Sequence, residues 1–128
     1  MSGLVVDTSV WIDFFSGRPA PTLEEGLAQG AVTLPPLVVA ELVSGARRPR
    51  ERAAIAALVD DLAVHPTPVE HWVRVGELLR HLADKGVAAS TPDAHVAQCA
   101  LDQDALLLTR DEVFTRIAKE TSLRVAPA

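Results

Sequence analysis

A chain of 128 residues, 48% of them hydrophobic and with a mean hydropathy of +0.20, can close one core and is not a disordered segment. Its formal net charge of −5 excludes nucleic-acid binding driven by bulk positive charge, although acids collected in one metal pocket would be neutralised there. One cysteine, Cys99, excludes an internal disulfide, suits a reducing compartment and, close to Ala97 and Ala100, reads as a small buried apolar residue.

In chain order, Leu4-Val5-Val6 is a short apolar run that reads as a buried strand ending at Asp7. Trp11, Phe14 and Phe15 follow at near-helical spacing and read as core or partner surface before base-stacking platforms. Thr22-Leu23-Glu24-Glu25 is a capping-box pattern, with Gly26 and Gly30 bracketing the weak end of its helix. Ala31 to Leu34 reads as a second strand, and Pro35-Pro36 as the entry to a helix reaching about Gly45. Arg47 to Arg52 reads as a basic turn, and Ala53 to Ala63 as a strongly apolar helix. Thr67-Pro68-Val69-Glu70 opens a helix with Trp72, Val75, Gly76, Leu79 and Ala83 on its apolar side and Gly86 as its end. Thr91-Pro92 starts another helix, Leu106 to Leu108 is a buried strand, Val113 to Lys119 a short helix, and Leu123 to Val125 a last strand.

Apolar strands without alternation, separated by helices, predict a parallel sheet covered on both faces. The expected class is α/β in three layers, as one domain over residues 1–128. No apolar run approaches the roughly 20 residues needed to cross a bilayer. The start, Met-Ser-Gly-Leu-Val-Val-Asp, has no basic segment or cleavage site, so a cytoplasmic protein without a secretory signal is expected. The surplus hydrophobicity predicts a partner surface or dimer face.

Four acids draw attention, each with a plainer alternative. Asp7 and Asp111 follow buried strands and would equally cap the helices after them. In an open parallel sheet, however, the carboxyl ends of strands share one edge, where ligands bind. Glu41 lies in Leu37-Val38-Val39-Ala40-Glu41-Leu42-Val43, apolar nearly all round, so the helix is expected to be buried and the carboxylate to need a partner, the plainer alternative being a glutamate that snorkels at the helix edge. Asp93 sits in the first turn of its helix, where the helix dipole alone favours an acid. Its helix leads into the Asp111 strand, an order that is taken to put Asp93 at the opposite edge if the link is tight. Clustered carboxylates repel unless cations fill them, and oxygen ligands favour Mg²⁺ or Mn²⁺ over Zn²⁺. Such ions can activate water against a phosphodiester without a serine or cysteine nucleophile.

With these residues in place, the chain resembles the PIN-domain family, and within it the VapC-type toxins of bacterial toxin–antitoxin pairs. The resemblance is carried by Val5-Val6-Asp7-Thr8-Ser9-Val10-Trp11, Val39-Ala40-Glu41-Leu42-Val43-Ser44-Gly45-Ala46, Pro92-Asp93-Ala94 and Leu107-Leu108-Thr109-Arg110-Asp111. Each motif is short, but four in order cover essentially the whole chain. The resemblance implies a PIN-like three-layer α/β/α fold that gathers Asp7, Glu41, Asp93 and Asp111 into one catalytic metal site. It implies Mg²⁺- or Mn²⁺-dependent endoribonuclease activity on an RNA substrate, tRNA and rRNA being candidates. It also implies inhibition by a small VapB-like antitoxin, and a homodimer. Ser9 matches a hydroxyl position that supports the first aspartate, and Asp111 is the least constrained acid of the family. His95 departs from the pattern, where an aliphatic residue is usual, and is read as a neighbour or surface residue and not a ligand.

Arg47, Arg48, Arg50 and Arg52 could border the pocket and meet phosphate, or be a solvated turn. Arg110 could contact substrate or pair with a nearby acid. His65, His71 and His81 show no ligand spacing with one another or with a cysteine, so no zinc site is expected. Two alternatives remain: an aspartate-based phosphotransfer domain, which would want an acid where Ser9 stands, and a non-catalytic binding module with the same fold.

Overall fold

The computed structural model describes residues 3–128, so Met1 and Ser2 of the start read above lie outside it. Five strands, β1 (Leu4–Val6), β2 (Val32–Leu34), β3 (Ala63–Val64), β4 (Leu106–Thr109) and β5 (Arg124–Pro127), form one sheet in the order β3-β2-β1-β4-β5. All four pairings are parallel, with Val6 opposite Leu108 and Thr109 opposite Pro127. Seven helices connect the described strands: α1 (Thr8–Phe15), α2 (Pro21–Ala28), α3 (Pro36–Gly45), α4 (Pro49–Asp61), α5 (Val69–Asp84), α6 (Thr91–Gln103) and α7 (Glu112–Lys119). The chain is thus the expected three-layer α/β fold. The uninterrupted apolar runs make physical sense here, because Leu4, Val5, Val6, Leu107 and Leu108 are all buried between helices on both faces.

Several elements differ locally from expectation. Strand β3 has two exposed residues and no apolar signature, and it begins at Ala63, inside the span assigned to a helix. Helix α4 starts at Pro49, so half of the arginine run forms its first turn, and Ile55 is its one fully buried residue. Helix α2 starts at Pro21, and Glu24 accepts from the Ala20 amide at 3.3 Å, so the acid of the capping box is used while Thr22 lies inside the helix. Gly26 then passes so close to the sheet that a Cβ would fall 2.8 Å from Leu4 Cδ2 and 3.2 Å from Val32 Cγ2. Likewise Pro68, not Thr67, caps α5.

The inward face of α5 is His71, Val75, Leu78 and Leu82, turned about one position from the expected stripe, while Trp72 stays 38% exposed. The reason is a polar network under the helix. His71 Nδ1 lies 2.9 Å from Asp102 Oδ2, and His71 Nε2 lies 2.8 Å from His95 Nδ1. Asp102 also accepts two hydrogen bonds from Arg74 and one from Gln98, and these donors hold its carboxyl well below the usual range despite desolvation. An ionised Asp102 accepts only, so the His71 proton sits on Nδ1, its Nε2 accepts, and His95 donates from Nδ1. His95 Nε2 then accepts from the Leu37 amide at 3.5 Å, and the Trp72 indole stacks over the ring at 4.7 Å. Fully hydrogen bonded, a histidine pair can occupy a core position that an aliphatic side chain would otherwise take.

This network has a pH signature. Burial pushes His95 down to about 4 and lowers His65 as well. The unfolded chain binds protons on these rings as pH falls below about 6.5, where the folded chain still refuses them. Stability is therefore full above that value and is lost as pH falls toward the folded values. Asp7, whose pKa is raised, works in the opposite direction nearer the carboxylate range. Thermal melts in EDTA are expected to fall progressively from pH 7 to pH 4.5; a constant melting temperature over that window would contradict the assignment.

Helix α6 corrects the expectation for Asp93. The link from α6 to β4 is tight, with the Ala105 amide bonded to Ala100 O and the Leu106 amide to Gly3 O. A helix that delivers its C-terminus to the start of a strand has run antiparallel to it, so its N-terminus stands at the carboxyl edge. The contact of His95 with Leu37, at the start of α3 just beyond β2, places that first turn over the same edge. Tight connection therefore brings Asp93 to the side of Asp7 and Asp111.

Candidate active site

Asp7 leaves the central strand β1 with its amide bonded to Leu108 O and its side chain capping α1, where Oδ1 accepts from the Thr8 amide at 2.8 Å. Its Oδ2 accepts from Thr109 Oγ1 at 3.0 Å and from Ser9 Oγ at 3.4 Å. Burial raises its pKa, three hydrogen bonds oppose that rise, and the Asp111 charge adds to it. Asp111 is exposed, caps α7 through the Val113 amide at 3.0 Å, and has its own amide on Thr109 Oγ1 at 3.0 Å. One buried hydroxyl thus bridges the two acids that strand-end geometry brings together.

Glu41 corrects its expectation in part. It is exposed, and α3 buries Val38 and Leu42 while leaving Val43 57% exposed, so this apolar helix lies at the surface. Its partner is Thr8, whose hydroxyl donates to Oε1 at 2.8 Å. Asp93, half-buried, is the third residue of α6, and its amide donates to the capping Ser90 at 3.1 Å. Ser90, one residue before the expected start, is therefore the true cap. Among the described residues no three of the acids have oxygens within 4.8 Å of one another. Asp7, Glu41 and Asp111 are linked through Thr8 and Thr109, while the Asp93 side chain makes no hydrogen bond to any of them among the described residues.

Sequence reasoning missed Thr8 and Thr109, although both stand inside the motifs quoted for the acids. A threonine within two residues of a strand-end aspartate is the signal that could have found them. Arg110 pairs with Asp13 at 2.8 Å, its simpler reading. Arg52 donates to Ala46 O at 3.4 Å, and Arg48 lies 3.9 Å from Glu51, both toward the far end of α3 from Pro36. Trp11 is fully buried against Phe14 and Phe15 and is core.

The sequence profile described as PIN domain matches residues 4–120, more than nine-tenths of the chain. The chain belongs to the PIN-domain family. Among curated proteins no sequence matches significantly. Solved structures share the whole PIN fold. The VapBC2 structure of Rickettsia felis, bound to a promoter DNA fragment, matches at a TM-score of 0.78 and 17% identity, covering 98% of each chain. VapBC-1 of nontypeable Haemophilus influenzae matches at 0.77 and 22% identity, over 97% of this chain and 96% of that one. VapBC-5 of Mycobacterium tuberculosis, of a toxin–antitoxin family, matches at 0.73 and 25% identity, covering 100% of both. In this PIN domain the donors at the carboxyl edge are all oxygens, and Asp7 is a partly desolvated carboxylate with an acid for a neighbour and no ion pair among the described residues. That set fits a hard divalent cation.

Proposed function

We propose that this PIN domain is a Mg²⁺- or Mn²⁺-dependent endoribonuclease, the toxin of a VapBC-type pair. The observation that carries the reading is Asp7, a half-buried carboxylate sharing Thr109 with Asp111 at the carboxyl edge of a PIN sheet. Asp7 and Asp93 are the residues to hold the ion, with Glu41 and Asp111 assisting as ligands or through water. With no three acids closed on one point, a site using one or two carboxylates and several waters suits Mg²⁺. When bound, the ion supplies a Lewis acid for the phosphodiester and acidifies water. The chain's own groups do the orienting: Thr109 and Ser9 aim Oδ2 of Asp7, and Thr8, whose amide meets Asp7, fixes the Glu41 carboxylate beside it.

The partner reading rests on exposed apolar surface. Ile12, 54% exposed, lines a groove with Phe15, Leu42, Ala46 and Ile55 next to Glu41, which suits an apolar segment of a VapB-like antitoxin. Val69 and Val73 form a second exposed apolar stretch on α5, a candidate homodimer face. No described helix is long and apolar enough to cross a membrane, and a cytoplasmic location accords with the substrate class. The phosphotransfer alternative also wants a lysine at a strand end, and Lys85 and Lys119 stand instead at the C-terminal ends of α5 and α7.

Sequencing the RNA ends made by purified protein tests the reading. Discrete new ends are expected with Mg²⁺ or Mn²⁺ and none with EDTA; metal binding without cleavage of any RNA would favour the binding module. Thr109→Val, which keeps the shape and deletes the bridging hydroxyl, is expected to cost about 10–100-fold in metal affinity or activity. A Mn²⁺ titration of activity measures this, and an unchanged midpoint and rate would remove Thr109 from the site.

A further inference from the structure

Beneath α5, His65, His71 and Cys99 are all buried and offer ligand atoms that lie within 4.8 Å of one another. The three come from separate places: the turn after β3, the first turn of α5, and the middle of α6. We propose that they form a second cation site, for a soft or borderline transition metal of the Zn²⁺ class, separate from the acidic edge.

Three observations support this. First, the donors are two imidazoles and a thiol, the set that Zn²⁺ takes and Mg²⁺ does not. A closed tetrahedral site has ligand separations of roughly 3.5 Å, so small side-chain movements would complete this one. Second, Asp102 is placed as the outer carboxylate of such sites. It lies 2.9 Å from His71 Nδ1 and 3.5 Å from His65 Nε2, so both rings direct a proton to it and keep a lone pair on the other nitrogen. Those lone pairs are met by neutral donors, His95 Nδ1 at 2.8 Å and the Gln103 amide at 2.8 Å, which a cation can displace. Third, Cys99 is a free, fully buried thiol whose proton has to leave before its sulfur can bind a metal. Metal uptake must therefore release its proton: Zn²⁺ and Cys–SH give a Zn–thiolate bond and H⁺.

The consequence is a clamp. An ion here ties the β3–α5 turn to α6, the helix whose first turn carries Asp93. The inference does not depend on the nuclease reading, and its test bypasses the acids.

The experiment uses the full chain carrying Asp7→Asn and Asp93→Asn, loaded with zinc chloride, desalted and analysed for metal. One equivalent of Zn²⁺ is expected, with release of about one proton and a higher melting temperature. Cys99→Ala and His65→Gln, each added to that background and checked by circular dichroism, are expected to weaken binding at least tenfold. Co²⁺ added to the chain with Cys99 intact should give a thiolate-to-metal charge-transfer band and tetrahedral d–d bands, a readout that needs no variant to fold. Absence of stoichiometric Zn²⁺, a Co²⁺ spectrum without the thiolate band, or equal binding by folded Cys99→Ala would each overturn the proposal.

Discussion

Asp7→Asn is expected to lower Mg²⁺-dependent RNA cleavage by roughly a thousand-fold while leaving the fold intact, the scale seen when one charge-stabilising group is deleted from a site. The amide keeps an oxygen to accept from Thr8 and nearly the same volume, so packing changes little. What disappears is the charge that a cation needs. The same substitution is expected to raise the melting temperature of the metal-free protein. The sign follows from the raised pKa of Asp7: burial and the Asp111 charge disfavour the ionised form, so deleting the charge removes a penalty. Adding Mn²⁺ should then stabilise the variant less than the parent. Undiminished cleavage, in protein free of contaminating nuclease, would sink the proposed activity. Separately, an unchanged metal-free melting temperature would show that Asp7 carries no repulsion.

The largest stability effect is expected at a residue outside the candidate site. Asp102→Ala removes the acceptor shared by His71, His65, Arg74 and Gln98 and leaves the His71 proton buried with nothing to meet it. Stranding a buried donor costs about 1–3 kcal/mol, and with several donors sharing this one acceptor a loss of ~3 kcal/mol is expected. For a domain of this size that corresponds to a fall of about 10 °C in melting temperature. The half-exposed Arg74 contributes little to this figure, because solvent screens it. Chemical denaturation measures the change directly, and a loss below ~0.5 kcal/mol would show that the network is ornamental to folding.

The particular residues explain what was legible in advance. Leu4–Val6 and Leu106–Leu108 could be read because central parallel strands are apolar on both faces, and Asp7 and Asp111 could then be placed by strand-end geometry alone. Strand β3 could not, since a two-residue edge strand with exposed side chains carries no pattern. Asp93 was argued to the wrong edge because the direction of a return helix was misjudged, and the family resemblance supplied the better answer. Glu41 drew suspicion because its apolar helix was read as buried, whereas α3 leaves Val43 exposed and the carboxylate meets Thr8. The cluster of His65, His71 and Cys99 was invisible, because its members are brought together by the crossing of α5 over α6 and share no spacing along the chain. His95 was noticed only as a departure from the family pattern. The structure gives that departure a cause, since it is the ring that links Asp102 and His71 to the start of α3.

Strand β5 runs parallel to β4 to its end, and the Ala128 amide lies 3.3 Å from Thr109 O. Any residues appended after Ala128 would therefore emerge beside the hydroxyl that joins Asp7 to Asp111. An affinity tag of histidines placed there could reach the carboxyl edge, compete for the added ion and blur every metal titration. Gly3, by contrast, leads into β1 at the opposite edge of the sheet, three strand residues from Asp7, so the N-terminal side is the better place for a tag in those titrations.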